Sequence, residues 1–290
     1  MHTLNADLHS HSTASDGTLT PRELASRARA NGVELWALTD HDELSGLGAA
    51  ASAAAEFGLP FVPGIEISVS FAGETVHVVG LGIDPSAPEL QSGIAEVRAG
   101  REARARAMGA GLAAVGIARA YEGAVALAPN PNLVSRTHFA RFLVHAGIVP
   151  DLHSVFRRYL VDGKPGYVQH RWARLGDAVR WIRNAGGVAV IAHPGRYKFT
   201  PTEEYALFTE FIAHGGLGVE VVTGSHHAAD IVKYTGMALE FGLLASRGSD
   251  FHDPLESRLD LGLGAEGERL SARLTPVWTE LRLPDDAATA

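Results

Sequence analysis

Residues 4–17 of this chain read LNADLHSHSTASDG. We predict a first strand from Leu4 to Leu8, which is followed at once by His9 and His11. Alternate residues of an extended strand lie on one face, so both imidazoles can reach one ion. Asp16 follows in a Ser-Asp-Gly turn. The stretch therefore predicts a short strand whose carboxyl end carries metal-ligating groups.

Beyond this strand, β-type and helical runs alternate, which predicts βα units and a largely parallel sheet of the α/β class. A capping box at Thr20 to Glu23 begins a helix that ends near residue 31. The six further predicted strands are Glu34–Leu38, Phe61–Ser68, Thr75–Leu81, Val188–Ala192, Gly218–Val222 and Leu243–Ser246. The turn between the third and fourth strands is too short for a crossover, so these two should form an antiparallel hairpin. Periodicity leaves a closed or distorted barrel and an open doubly wound sheet as alternatives.

The alternation of predicted strands and helices stops between residues 85 and 168, where only helical patterns occur. We predict helices at Ser86–Val115, Thr137–Ala146 and Asp151–Val161. We therefore expect a discontinuous barrel at 1–84 and 169–283, with 85–168 as a helical insertion or cap between strands four and five. The tail at 284–290 is expected to be disordered.

The composition restricts the function. A formal net charge of −8 argues against a dedicated nucleic-acid binder and suits a protein that holds several divalent cations. The absence of cysteine excludes disulfides and thiolate metal sites, so any metal must be bound by imidazole and carboxylate. The first residues do not resemble a signal peptide, and no apolar stretch could span a bilayer. A cytoplasmic protein without a membrane or stable protein partner is expected.

Ligand-type residues lie repeatedly at the carboxyl ends of predicted strands, where functional groups of α/β folds occur. A lone histidine is more often a core or surface residue, but independent histidines should not recur at strand ends. Imidazole and carboxylate ligands suit Mn²⁺, Fe²⁺ or Zn²⁺, and a shared carboxylate suits more than one ion. The nine candidate ligands are His9, His11, Asp16, His41, Glu66, His77, His193, Asp250 and His252.

Five motifs within this set resemble those of the PHP (polymerase and histidinol phosphatase) family. They are DLHSHSxxSDG at 7–17, TDH at 39–41, GxE at 64–66, AHP at 192–194 and SDxH at 249–252. The resemblance implies a distorted seven-stranded β/α barrel with two to three divalent ions, of which Mn²⁺ is expected first. It implies a first metal position at His9, His11, Glu66 and Asp250, and a second at Glu66, His77 and His193. It implies a third metal position at Asp16, His41 and His252.

The predicted insertion carries a narrower resemblance. SRTHFAR at 135–141 and YLVDGKPGY at 159–167 are similar to small PHP phosphoesterases that act on 3′,5′-nucleoside bisphosphates, some of which also trim short RNA. The implied activity is a metal-dependent phosphatase that removes the 3′-phosphate of a nucleoside bisphosphate. Candidate substrate-binding residues are Arg101, Arg104, Ser135, Arg136, His138 and Lys164, with Arg196 and Tyr197 as further candidates. For Arg101 and Arg104, the alternative is a solvated helix face.

Other functions remain open from the sequence. One alternative enzyme is a 5′-3′ exoribonuclease on short RNA, and another is a phosphatase of a small monoester such as histidinol phosphate. The non-enzymatic alternative is a nucleotide-binding regulatory protein with a vestigial metal site. In every case the expected ligand is a phosphorylated nucleotide or a related small phosphate ester.

Overall fold

The computed structural model describes residues 4–263 and 269–281, so the expected disorder of 284–290 falls outside the described residues. The eight described strands form one sheet, in which seven have the order β1-β2-β3-β4-β6-β7-β8 and β5 pairs with β3. Within it, neighbouring strands are parallel except where β4 pairs with β3 and with β6. The strands are β1 (Ala6–Asp7), β2 (Leu35–Leu38), β3 (Phe61–Phe71), β4 (Glu74–Leu81), β5 (Ala173–Arg174), β6 (Val188–Ile191), β7 (Gly218–Thr223) and β8 (Leu244–Gly248).

The first and last strands of this order approach each other and nearly close the sheet. The amide of Leu8 donates to the carbonyl of Arg247 at 3.1 Å, and the amide of Asp250 donates to His9 at 2.9 Å. This confirms the prediction of a distorted seven-stranded α/β barrel over the open sheet. The predicted antiparallel hairpin is also present, with Ser68 opposite His77.

An eighth strand, β5, was not predicted. Its two residues pair in parallel with Val69 and Ser70 of the long strand β3. Two residues are too few to show an alternation of apolar and polar positions, and this strand depends on a tertiary partner. It forms where the chain returns to the barrel.

The described helices alternate with the strands around the barrel, except for a run of five between β4 and β5. None of them is long and apolar enough to cross a membrane. Helix α1 begins with the predicted capping box at Thr20. The helices are α1 (Pro21–Ala30), α2 (Leu47–Glu56), α3 (Pro88–Ala99), α4 (Arg101–Ala114), α5 (Ala120–Ala126), α6 (Arg136–His145), α7 (Leu152–Val155), α8 (Leu175–Asn184), α9 (Pro201–Ala213) and α10 (Ala228–Phe241); a π-helical turn at Phe156–Leu160 extends α7.

The predicted helix Ser86–Val115 is divided into α3 and α4 at Gly100. A Cβ atom at this glycine would lie 2.5 Å from the ring of His170, so a larger residue here would require that ring to move. Helix α3 packs on the barrel core through Leu90 and Ile94.

The helices after Gly100 have a hydrophobic core of their own, in which Met108 and Leu112 of α4 meet Phe139 and Leu143 of α6. Apolar burial of this kind stabilises the packing of these helices against one another. The division of the chain at residues 84 and 168 stays a prediction.

Candidate metal centre

Four ligand atoms converge just beyond the carboxyl ends of β1 and β8. His9 Nε2 and His11 Nε2 lie 3.1 Å apart, and each is 3.3 Å from Glu66 Oε2. Asp250 Oδ1 lies 3.5 Å from His9 Nε2 and 3.2 Å from His11 Nε2. Four ligands at about 2.1 Å from a central ion form a tetrahedron with edges of about 3.4 Å. The four atoms therefore have the spacing of a metal site.

A second group shares Glu66 with the first. Glu66 Oε1 lies 2.9 Å from His77 Nδ1 and 2.9 Å from His193 Nε2, and the two imidazole nitrogens are 3.4 Å apart. His193 has φ = 29°, a backbone conformation that is costly for a residue with a Cβ atom. The strained turn after β6 aims the ring of His193 at Glu66. One carboxylate thus faces both groups with different oxygens.

A third group lies on the other side of His11. Asp16 Oδ1 is 3.3 Å from His252 Nε2 and 4.0 Å from His41 Nε2. The rings of His11 and His252 stack with centroids 4.1 Å apart. His41 also turns its Nδ1 toward Glu66 Oε2 at 2.9 Å, so it joins the third group to the first two.

The carboxylates of all three groups fit a divalent cation. Asp16 Oδ1, Glu66 Oε2 and Asp250 Oδ1 are buried and have no hydrogen-bond partner among the described residues. An uncompensated buried anion is costly, and a bound cation would compensate it. Burial would raise the pKa of Glu66, but the imidazoles around it, His41 foremost, hold that pKa well below its usual range. Burial and Arg196 lower the pKa of His193 to about 3, which keeps its imidazole neutral as a ligand must be.

The serines of the first motif have a structural role. Ser12 Oγ donates to Asp40 Oδ2 at 2.6 Å, and Ser15 Oγ donates to Asp40 Oδ1 at 2.5 Å. Because Asp40 precedes His41, these bonds join the loop after β1 to the end of β2. Loops that carry ligands of different groups are thereby held in one arrangement.

Glu220 of β7 is a residue that the sequence reasoning missed. Its Oε1 lies 2.7 Å from His9 Nδ1, and its Oε2 accepts a hydrogen bond from the amide of His193 at 2.6 Å. A carboxylate at this position fixes the tautomer of His9 and leaves Nε2 free to bind a metal. The available signal was an acidic residue inside the apolar strand GVEVVT.

A cleft opens between the ligand groups and the helices that follow β4. Arg104, Arg136 and Arg196 line it together with Trp172 and Phe156. Asp16, His41, His77 and His252 also line it, so the cleft reaches the second and third groups. Burial, with the charges of Arg136 and Arg101, lowers the pKa of Arg104 to about 9. A bound anion would relieve the repulsion between these guanidinium groups.

Two of the predicted substrate-binding residues, Arg101 and His138, form contacts with other residues of the protein. Arg101 lines the cleft but forms a buried ion pair with Asp42 and stacks over Trp172 at 4.7 Å. It is therefore not the solvated helix residue of the alternative interpretation. His138 is fully buried, and burial lowers its pKa to about 4. Its Nδ1 accepts a hydrogen bond from the amide of Ser135 at 3.0 Å.

The remaining predicted substrate-binding residues differ in position. Ser135 and Arg136 lie at the start of α6, and both line the cleft. Lys164 lies in an exposed turn and is not part of this lining, so the cleft gives no support to its predicted contact with substrate. The turn bonds Lys164 N to Val161 O and directs this segment toward solvent. Arg196, a further candidate, lines the cleft. The Tyr197 hydroxyl is hydrogen-bonded to the backbone of His77 and Ala192.

Comparison with known proteins identifies relatives along nearly the whole chain. The family model of the PHP domain matches residues 7–144. The chain is 53% identical over 277 residues to a 3′,5′-nucleoside bisphosphate phosphatase of Chromobacterium violaceum, with 96% of each chain covered. It is 41% identical to a 5′-3′ exoribonuclease of Haemophilus influenzae, over 94% of this chain and 97% of the relative.

Two solved structures show the same arrangement of elements. An amidohydrolase from Chromobacterium violaceum, with bound sulfate and no metal, has a TM-score of 0.93 and 51% identity over 98% of this chain and 100% of that chain. A protein of Bifidobacterium adolescentis assigned as a metal-dependent phosphoesterase has a TM-score of 0.78 and 27% identity, with 96% of each chain covered.

Proposed function

This chain belongs to the PHP family of metal-dependent phosphoesterases, and from that premise we propose that it removes the 3′-phosphate of 3′,5′-nucleoside bisphosphates. With adenosine 3′,5′-bisphosphate the products would be the 5′-mononucleotide and phosphate. The observation that carries the proposal is one cleft lined both by Arg104 and Arg136 and by ligand-type side chains such as Asp16 and His77. Such a cleft can hold two phosphates of one small molecule.

We propose that the three groups of ligand atoms hold two to three divalent ions, with Mn²⁺ as the expected native metal in a cytoplasmic enzyme. The first group supports this through its tetrahedral spacing. The second group supports it through the 2.9 Å distances from Glu66 Oε1 to both imidazoles, and the third through the buried, unpartnered Asp16 Oδ1. The ligands would be His9, His11, Glu66 and Asp250 for the first ion, and Glu66, His77 and His193 for the second. Asp16, His41 and His252 would bind the third, and His11 lies close enough to join them.

In this mechanism divalent ions would neutralise the phosphate charge and lower the pKa of the attacking water. The protein's own residues set the geometry. Arg136 and Arg104 bind the phosphate that is not cleaved, and this remote contact orients the reacting phosphate toward the ligand groups. Arg196 donates to Asp250 Oδ2 at 2.7 Å, which leaves Oδ1 directed at the histidines.

A second candidate activity is exonucleolytic cleavage of short RNA. A polar groove that includes Gln169, His170 and Arg171 meets the cleft at Thr75, which lines both. An RNA chain that extends beyond the cleaved nucleotide could bind along this groove. The observation favours a substrate range that extends past mononucleotides, as for the exoribonuclease relative.

The test is hydrolysis by the full-length chain loaded with Mn²⁺. Adenosine 3′,5′-bisphosphate, 3′-AMP, 5′-AMP, histidinol phosphate and a 5′-phosphorylated RNA tetramer would be compared at equal concentration, and the products separated by chromatography. We expect the bisphosphate to give 5′-AMP with the highest kcat/KM. Release of 3′-AMP in its place would contradict the proposed polarity, and preference for histidinol phosphate would contradict the substrate class.

A further inference from the structure

Asp16 differs from an ordinary surface carboxylate because the protein holds its two oxygens separately. Its Oδ2 accepts a hydrogen bond from Ser135 Oγ at 3.1 Å. Its Oδ1 has no hydrogen-bond partner among the described residues and faces His252 Nε2 at 3.3 Å. The side chain is nearly buried. One oxygen is therefore anchored by a residue of the helical segment after β4, and the other is left for the third group.

The contacts around Ser135 determine which group its hydroxyl donates to. A serine hydroxyl has one hydrogen to donate. The neighbouring acceptor, His138 Nδ1, is already bonded by the amide of Ser135 at 3.0 Å. Ser135 Oγ itself accepts from the amide of Thr137, as the N-cap of α6. The hydroxyl hydrogen therefore goes to Asp16, which is the remaining acceptor.

Arg141, on the same helix, holds the main chain of Asp16. Its Nη1 donates to the carbonyl of Asp16 at 2.7 Å. Its Nε and Nη2 donate to the carboxylate of Glu256 at 3.0 and 2.8 Å. Glu256 lies in the loop that follows His252, so α6 bridges the two loops that carry Asp16 and His252.

We propose that Ser135 and Arg141 are positioning residues for the third metal position, so that its affinity for metal depends on helix α6. This inference rests on the proposed metal ligands. The helical segment then has a second task besides contact with substrate, because it completes a metal site whose ligands all belong to the barrel. Loss of the Ser135 hydroxyl would free the carboxylate of Asp16 to rotate away from His41 and His252.

The experiment measures Mn²⁺ binding by equilibrium dialysis and elemental analysis, without substrate. Outer hydrogen-bond partners of metal ligands typically change metal affinity 10- to 100-fold. We expect Ser135→Ala to weaken the binding of one ion by about ten-fold or more, while the other ions keep their affinity. Ser135→Thr retains a hydroxyl and the N-cap, so it should bind as the wild type does. Ser92→Ala, an exposed serine of α3, is the matched control.

Ser135→Ala also removes the N-cap of α6, which could loosen the helix. Glu256→Gln therefore serves as a second test that leaves the N-cap intact. That substitution is on the surface and leaves the N-cap residue in place, and it weakens the anchor of Arg141. It should lower the affinity of the same ion by a smaller factor. Unchanged isotherms for both variants would overturn the inference, as would a higher KM in Ser135→Ala with unaltered metal binding, which would make Ser135 a substrate contact.

The failure of this inference can be distinguished from failure of the proposed function. If the wild type and Ser135→Ala both bind three ions with the same affinities, the positioning role alone is refuted. A wild-type chain that never binds a third ion refutes the third metal position and this inference together. Failure of the phosphatase proposal would appear separately, as wild-type protein with full metal content that releases no phosphate from the bisphosphate.

Discussion

Glu220 Oε1 lies 2.7 Å from His9 Nδ1 in the interior of the barrel, while its other oxygen binds the amide of His193. Both contacts are made to donors, so the residue must present two acceptors. Glutamine presents one acceptor and one donor in the same shape. The position therefore distinguishes a carboxylate from its closest isostere.

We predict that Glu220→Gln weakens the binding of Mn²⁺ about 10- to 100-fold, because the amide nitrogen must face either His9 or the His193 amide. If it faces His9, the imidazole turns its protonated nitrogen toward the metal. Equilibrium dialysis measures the change, with the exposed Glu210→Gln as control. Unaltered affinity would show that Glu220 does not set the tautomer of His9.

Glu66 should be the most damaging single ligand to lose, since its two oxygens face two groups of histidines. We expect Glu66→Gln to bind at least one ion fewer than the wild type and to lose at least about a hundred-fold in kcat, about 2.7 kcal/mol of transition-state stabilisation. Glu74→Gln, at the exposed first residue of β4 next to the hairpin turn, serves as control. Near-normal turnover of Glu66→Gln with full metal content would refute a bridging role.

Arg136 should determine preference for a bisphosphate. A charge-assisted hydrogen bond contributes about 1.5–3 kcal/mol, so Arg136→Ala should lower kcat/KM for adenosine 3′,5′-bisphosphate about ten- to a hundred-fold. Hydrolysis of a simple monoester such as p-nitrophenyl phosphate should change little, because it lacks the second phosphate. Lys164→Ala, outside the cleft, is expected to leave both substrates unaffected. Equal losses on both substrates in Arg136→Ala would assign the residue to the reacting phosphate.

Arg101 should contribute mainly to stability. Removal of one partner from a buried ion pair leaves an uncompensated charge, here Asp42, and typically costs about 3–5 kcal/mol. We expect Arg101→Ala to lower the free energy of unfolding in urea by about this amount. The exposed pair of Arg106 with Glu102 provides the control, since Arg106→Ala should cost less than about 1 kcal/mol. A stable Arg101→Ala protein with a raised KM would restore its predicted role in substrate binding.

The sequence was most informative where local chain geometry decides the outcome. His9 and His11 share a face because a strand alternates, and the short turn at Ala72-Gly73 requires an antiparallel hairpin. Each of these inferences uses only residues that are close along the chain. The grouping of ligands into three metal positions came from a family resemblance and stays a prediction.

Contacts between distant segments could not be read from the sequence. Whether Arg101 faces solvent, substrate or Asp42 depends on how α4 lies across the barrel, and no periodicity encodes that angle. The exposed position of Lys164 depends on a single turn. Glu220 was overlooked because an acidic residue in a strand is usually at an edge or surface, and its buried partners lie 27 and 211 positions away.

The reversed direction of β4 has a consequence for how this barrel could diversify. Parallel strands deliver ligands from their ends, where the following loop can change in length without disturbing the sheet. His77 instead lies within a ladder of eight residue pairs between β3 and β4, so its place is set by register. A shift of one residue would turn the imidazole to the opposite face. The loops that follow the parallel strands can change in length and sequence and so adapt to new substrates. The position of His77 is fixed by the ladder, and it can change only by substitution of the residue itself.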